Sequence, residues 1–276
     1  MTWFITGINS GFGRQLTEQL LQRGDRVAGT VRRPGTVADL EDKYGDQLRV
    51  ARLDVTDTPA IRDTVDRAFK ELGRIDVVVN NAGYGLFGAA EEVTDEQITH
   101  ILATNLVGSI QVVRAALPHL RAQGGGRLIQ LSTYGGQATN PGASLYHASK
   151  WGIEGFMESV AKEVAPFGIE VTIVQPGGAR TEFRFDSLRT ATPMPAYDHS
   201  PAAMTRAAGD RDRPSLGDPA KMAACIIASA DRSPAPKRLV LGSDSYRFLH
   251  AALTERLADV EAQWHTAGLT DFAAGS

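Results

Sequence analysis

Tyr146 and Lys150, four positions apart in the run YHASK, form the pair in this sequence best suited to moving a proton. On a helix that spacing puts both side chains on one face. A phenol with its ordinary pKa of about 10 is a poor acid or base at neutral pH, but a nearby ammonium stabilises the phenolate and makes it competent. The neutral tyrosine then donates a proton to a developing alkoxide, and its phenolate accepts one from an alcohol in the reverse direction. A tyrosine and lysine at this spacing also occur as a plain surface pair, so the reading depends on what the rest of the chain supplies. His100, His119, His147, His199, His250 and His265 show no paired ligand spacing, and Cys225 is the only cysteine. Neither a metal centre nor an intramolecular disulfide is expected.

A second constellation suits a dinucleotide. Gly7, Gly11 and Gly13 lie in TGINSGFGRQL, between a strand expected over residues 3–6 and a helix expected from about Phe12. Glycines there let the chain turn sharply through Asn9, Ser10 and Phe12, bring backbone N–H groups close to a pyrophosphate, and aim a helix N-terminus at its charge. The second strand ends in VAGTVRRPG, without the Asp or Glu that binds an unphosphorylated adenosine ribose. Thr30, Arg32 and Arg33 instead offer a hydroxyl and two guanidinium groups suited to a 2′-phosphate, which favours NADP (NADPH) over NAD.

These residues need a frame. Short runs rich in Val, Ile and Leu at residues 3–6, 26–31, 48–53, 76–80, 127–132, 170–175 and 238–241 read as buried strands. Helical signals separate them: Gly24 closes one helix, Thr58–Pro59 opens another, and Thr94 with Gln97 forms a capping box. Strands alternating with helices must be parallel, and right-handed crossovers place helices on both faces. The expectation is an α/β, doubly wound, seven-stranded parallel sheet of Rossmann type, forming one domain over residues 1–276. Prolines and arginines crowd the stretch 182–216, which reads as an irregular substrate lid. Leu249, Leu253, Leu257, Val260 and Trp264 fall on one face of a C-terminal helix expected to cover the sheet or a subunit contact.

TGxxxGxG after the first strand, NNAG after the fourth and YxxxK on a later helix resemble the short-chain dehydrogenase/reductase family, in order and interval, over residues 1 to about 181. The resemblance implies strand order 3-2-1-4-5-6-7, hydride transfer to or from a nicotinamide, and homodimers or homotetramers. It assigns Tyr146 and Lys150 to both chemistry and cofactor. It puts Thr133 where the family usually has serine, thirteen positions before the tyrosine, with Ser132 one residue early and facing the other side of its strand. Thr133 keeps a hydroxyl for a carbonyl oxygen, while its methyl narrows the site. Asn105 matches the asparagine that bends its helix and holds a water in a proton relay. Asp54 and Val55 match the pair bracketing the adenine; Asn81, Ala82 and Gly83 match the segment behind the adenosine ribose; Pro176, Gly177 and Thr181 match the nicotinamide end. NNAGYGLFG is similar to the branch with hydroxysteroid and retinoid dehydrogenases, and Tyr84, Phe87 and Leu145 are the candidate substrate residues.

Composition agrees with an enzyme of small molecules. Lys and Arg total 29 against 32 Asp and Glu, giving a net charge of −3, so no global positive field is available for nucleic acid. No apolar run in the sequence approaches the roughly 20 residues of a bilayer helix, and the N-terminus carries no leader pattern, so no membrane partner and a cytoplasmic location are expected. The expected function is an NADP-dependent oxidoreductase interconverting a carbonyl compound and its alcohol. Two alternatives are a nonenzymatic NADP-sensing regulator and a nicotinamide-dependent isomerase or dehydratase. The four candidate catalytic residues argue against the first, and the short stretch after Thr181 against the second.

Overall fold

The computed structural model describes residues 1–181, 187–207 and 215–272. Its frame is a parallel sheet of β1 (Thr2–Thr6), β2 (Arg26–Val31), β3 (Leu48–Arg52), β4 (Val77–Asn80), β6 (Gly126–Leu131), β7 (Ile169–Pro176) and β9 (Arg238–Leu241), in the order β3-β2-β1-β4-β6-β7-β9. The strand bounds match the sequence expectation to within one residue at every end, and β2 and β9 match it fully. Two further strands, β5 (Gly85–Phe87) and β8 (Leu188–Thr190), pair parallel in a separate two-stranded sheet that the hydrophobic pattern does not announce.

The strands are buried on both faces because helices cover both. Phe4, Val78, Leu128 and Ile173 face α3 (Thr58–Leu72), α5 (Ser109–Ala122) and α6 (Ser144–Val164). Their neighbours Trp3, Ile5, Val77, Val79 and Ile129 face α1 (Gly11–Gln22) and α7 (Pro219–Ala230). That strict alternation is the period-two signature of a strand between two helical layers. The caps lie close to where the sequence puts them, with one difference: Asp57, not Thr58, accepts from the Ala60 N–H at 3.0 Å to start α3. Thr94 and Gln97 do form the reciprocal capping box of α4 (Asp95–Leu102).

From Asp95 to Ala122 the chain is one continuous helical run, with a π-type turn at Ala103–Gly108 between α4 and α5. By length and composition it would be long enough to cross a membrane, contrary to the sequence expectation. Here it carries Val112, Val113, Ala116 and Leu120 into the core. The C-terminal helix α8 (Ser243–Glu261) covers the sheet only near its start. Leu249 is buried, but Leu253, Leu257 and Val260 on α8, and Trp264 beyond it, are 46% to 80% exposed, so the expected apolar stripe leaves the sheet after Leu249.

Candidate active site

At the carboxyl ends of β1 and β4 the chain crosses to opposite halves of the sheet, the switch point where doubly wound folds bind ligands. The glycine loop fills this place. Gly7 has φ +73° and Gly11 φ +54°, the left-handed region in which a side chain is strained. Gly13 is needed for a different reason: a Cβ there would stand 2.1 Å from the Gly7 carbonyl oxygen and 2.5 Å from Asn81 Nδ2. Asn81 fixes the loop by donating Nδ2 to the carbonyls of Thr6 and Gly7, both at 2.9 Å. Ile8, unnoticed in the sequence, anchors it from below, buried against Gly29 where any Cβ would meet it at 2.3 Å. Ser10 caps α1 without giving its side chain to the helix, so the first N–H groups of α1 remain available to an anion. Asn9 is exposed and Phe12 partly buried beside them.

Thr181 closes the far side of this cradle, its Cβ 3.8 Å from where a Cβ on Gly11 would be. The segment Pro176–Gly178 is held by Asp244, which the sequence reading missed: its Oδ2 accepts from the Gly178 N–H at 2.7 Å, and a Cβ on Gly177 would collide with it. The glycines therefore leave a trough bounded by Gly7, Gly11, Ala82, Gly83 and Thr181 that side chains would fill. Backbone N–H groups, a helix N-terminus and closely approaching glycines fit a dinucleotide pyrophosphate.

At the adenosine end the placements are mixed. Arg32 and Arg33 are exposed just past β2. Thr30, in contrast, is buried and its hydroxyl accepts from the Gly7 N–H at 3.3 Å, so it supports the glycine loop and does not face a ligand as expected. Asp54 is exposed at the end of β3, accepting from the N–H and hydroxyl of Thr56. Burial raises its pKa, but the Thr56 bonds and the charges of Arg32 and His100 outweigh that and hold the carboxyl below its usual range. Val55 is buried against the π-type turn at Gly108.

Thr133, Tyr146 and Lys150 meet where β6 faces the start of α6. The Thr133 hydroxyl stands near enough to the Tyr146 phenol to favour its ionised form, and donates to the Pro176 carbonyl at 3.3 Å. Lys150 is buried, donates Nζ to the Leu131 carbonyl at 2.9 Å, and lies 5.9 Å from the Tyr146 ring centre. Asn105, in the π-type turn, accepts from the Tyr84 N–H at 3.0 Å and donates to the Tyr84 carbonyl at 2.8 Å and to Ser149 at 3.2 Å. Its amide, set in the π-type turn, is thus committed to backbone and hydroxyl partners. Gly83 packs against it, with room for a Cβ only 3.1 Å from Asn105 Oδ1.

The electrostatics correct the simplest expectation. Burial pushes the Tyr146 phenol well above its ordinary pKa, the nearby Tyr134 phenol pushes it further, and the Thr133 hydroxyl offsets only part. Burial also pulls Lys150 down, to about 8, against the opposing field of Glu154. At the phenol the loss of water outweighs the groups that favour the phenolate, and the ammonium itself is directed at the Leu131 carbonyl.

His147 is neutral by geometry: Nε2 accepts from the Asn140 N–H at 3.1 Å, so the proton sits on Nδ1, 2.8 Å from the Gly135 carbonyl. It ties the turn after Thr133 to α6. Phe87 faces Tyr146 with ring centres 5.9 Å apart, and Leu145 and Tyr84 pack in the same apolar cluster. Tyr84 shares a 2.8 Å hydrogen bond with His100 and lies 4.9 Å beneath the Arg189 guanidinium, so it is more enclosed than the other two. The expected lid lies partly outside the described residues. Its described part pairs β8 with β5 and hangs on the buried Glu92, which accepts from the Met194 N–H at 2.8 Å, from the Ala89 N–H at 2.7 Å and from Arg206 at 3.0 Å. No group of three or more His, Cys, Asp or Glu suited to a metal is found among the described residues.

A glycine cradle at the switch point, adjoining a tyrosine, lysine and hydroxyl on neighbouring elements, defines an oxidoreductase site that uses a nicotinamide dinucleotide. A family model for short chain dehydrogenases matches residues 2–191, and the chain belongs to that family. Oxidoreductase BOA17 of Botryotinia fuckeliana is 34% identical over 268 residues, 97% of each chain. The solved structure of a short-chain dehydrogenase from Streptomyces avermitilis superposes with a TM-score of 0.91 at 37% identity, covering 98% of this chain and 99% of that one. The closed form of a serine dehydrogenase complexed with NADP+ superposes with a TM-score of 0.74 at 26% identity, covering 87% and 94%.

Proposed function

We propose that this protein is an NADP(H)-dependent oxidoreductase that interconverts a ketone or aldehyde and its alcohol, working as a homodimer or homotetramer. The observation that carries the reading is the convergence of Thr133 and Tyr146, with Lys150 one helical turn on, beside the glycine cradle. When bound, the nicotinamide supplies or receives the hydride. Every other task falls to the chain. The hydroxyls of Thr133 and Tyr146 converge to hold a carbonyl oxygen, and a neutral phenol, kept protonated by its burial, is the proton donor in the reductive direction. Lys150 supplies the positive charge that stabilises the phenolate once the proton has left. Phe87 and Leu145 exclude water from one side of that pair.

The preference for NADP rests on Arg32 and Arg33 at the end of β2, where no carboxylate stands to bind a ribose diol. That a serine dehydrogenase of similar fold has been solved with NADP+ supports the same choice. The test is NADPH oxidation, followed by absorbance, against a panel of ketones and aldehydes. Tyr146→Phe should abolish turnover yet leave NADPH binding intact, and retained activity defeats the assignment. Replacing both Arg32 and Arg33 by alanine should lower the preference for NADPH over NADH by roughly 10- to 150-fold, the value of a charge-assisted hydrogen bond of about 1.5–3 kcal/mol.

A further inference from the structure

Two turns beyond Tyr146 and one beyond Lys150 on the same face of α6 lies Glu154, a carboxylate 3% exposed. Its Oε1 accepts from the Ser132 hydroxyl at 2.6 Å, and Gln175 Nε2 donates to both oxygens at 3.1 and 2.9 Å. Both oxygens thus lie within reach of donors, the surroundings a carboxylate requires. A Cβ on Gly136 would fall 2.0 Å from Oε1, so the backbone after Thr133 closes over it. Arg238, from the edge strand β9, approaches Oε2 at 3.7 Å, but its guanidinium is bonded to the more exposed Glu158. A buried carboxylate held this firmly, with no fully formed ion pair of its own, needs a reason.

We propose that Glu154 is a positioning residue for Lys150: its carboxylate, fixed by Ser132 and Gln175, is the counter-charge that keeps the buried ammonium protonated and seated on the Leu131 carbonyl. The inference rests on the reading of Tyr146 and Lys150 given above. Lys150 is out of water, so its charged form is costly unless a negative group lies near. Around it, α6 supplies Tyr146 and Glu154, the turn after β6 supplies Tyr134 next to Tyr146, and β9 supplies Arg238 behind Glu154. Among these, Glu154 is the one that favours the charged lysine. Ser132 gains a function by the same geometry: it faces away from the substrate side, as the alternation of β6 requires, and clamps the carboxylate that serves the lysine.

The experiment uses the full chain and reads the titration of Lys150 by pH-dependent amine labelling and mass spectrometry, alongside the pH profile of NADPH-dependent turnover. Glu154→Gln keeps the shape and removes the charge. It should move the Lys150 midpoint down by about one pH unit or more, with the alkaline limb of turnover moving equally, and Glu154→Asp should restore most of both. An unmoved midpoint in a folded Glu154→Gln protein, or a loss of turnover equal at every pH, overturns the proposal. Should Glu154→Gln fail to fold, Arg238→Ala makes the opposite test: removing that cation should raise the midpoint, and a fall or no change overturns the proposal. Labelling needs no turnover. A wild-type chain inactive toward carbonyls but showing these shifts would reject the enzymatic reading and keep the pairing of Glu154 with Lys150.

Discussion

Gly13→Ala isolates what the glycine loop does. The backbone of Gly13 lies outside the left-handed region, so alanine adds no conformational strain of that kind. It adds a methyl group 2.1 Å from the Gly7 carbonyl oxygen and 2.5 Å from Asn81 Nδ2, where ordinary contact begins at 3.4 Å. One obstacle is backbone and the other is the amide holding that backbone, so neither can swing aside as a flexible side chain would. Forced overpacking of this sort costs about 1–3 kcal/mol, a fall in melting temperature of roughly 3–10 °C for a chain of this size. The larger effect should be on affinity: once Gly7 moves, the N–H groups of the loop lose alignment with a phosphate, and one charge-assisted bond of about 1.5–3 kcal/mol corresponds to about 10- to 150-fold weaker NADPH binding. Gly24→Ala is the control, since Gly24 has φ +88° and open space around it. It should cost about 1–2 kcal/mol through the left-handed backbone alone and leave NADPH affinity unchanged. Calorimetric titration with NADPH and thermal melts read both. Wild-type affinity in Gly13→Ala, or equal weakening in Gly24→Ala, refutes the claim that close packing of Gly13, Gly7 and Asn81 builds the cradle.

Lys150→Met should abolish turnover and remove the part of the pH dependence of stability that the buried ammonium contributes. The sign follows from a folded pKa of about 8 against an ordinary 10.5: between these values the unfolded chain binds more protons, so the wild type gains stability relative to the variant as pH rises. Melts of both proteins from pH 7 to 10 check this. Glu92 behaves in the opposite sense. The Met194 and Ala89 N–H groups hold its carboxyl below the ordinary 4.5, burial opposes them and Arg206 assists, so its contribution is present above that value and is lost as pH falls through the folded one. Glu92→Gln should therefore speed proteolysis between residues 187 and 207 at pH 7, with the difference from wild type vanishing in acid.

Much of this was legible because the chemistry is written at short range. Tyr146 and Lys150 are one turn apart, the glycines of the loop lie within seven residues, and the alternation of Trp3, Phe4 and Ile5 states that both faces of β1 are covered. What the sequence conceals is contact between distant segments. Glu92 meets Met194 102 residues away, and β5 and β8 are three residues each, too short for a periodic signal, with a register set only when the lid folds back. Thr30 looked like a ligand hydroxyl because its neighbours are Arg32 and Arg33, but the parity of β2 turns it into the Gly7 loop. The direction of the Tyr146 shift was hidden for a different reason. Spacing gives the distance to a cation, whereas the pKa is decided by how much water has been removed, which only packing determines.

The register between β6 and α6 explains why the site sits where it does. Leu131, Ser132 and Thr133 are consecutive, and each serves a different group on the helix: the Leu131 carbonyl takes Lys150, the Ser132 hydroxyl takes Glu154, and the Thr133 hydroxyl stands beside Tyr146. Along the helix the three partners go from partly buried to fully buried, Tyr146 at the cleft and Glu154 at 3% exposure. A proton can therefore be exchanged at the outer end while the charge that governs it is set farther in, away from solvent that would screen it. Moving the pair one residue along β6 would point the Thr133 hydroxyl into the core and the Ser132 hydroxyl into the cleft, leaving Glu154 without its donor. The alternation of a single strand thus fixes both the reacting hydroxyl and the support of the lysine, so a substitution at Ser132, which touches no substrate, should alter the alkaline limb of turnover as surely as one at Thr133 alters the chemistry.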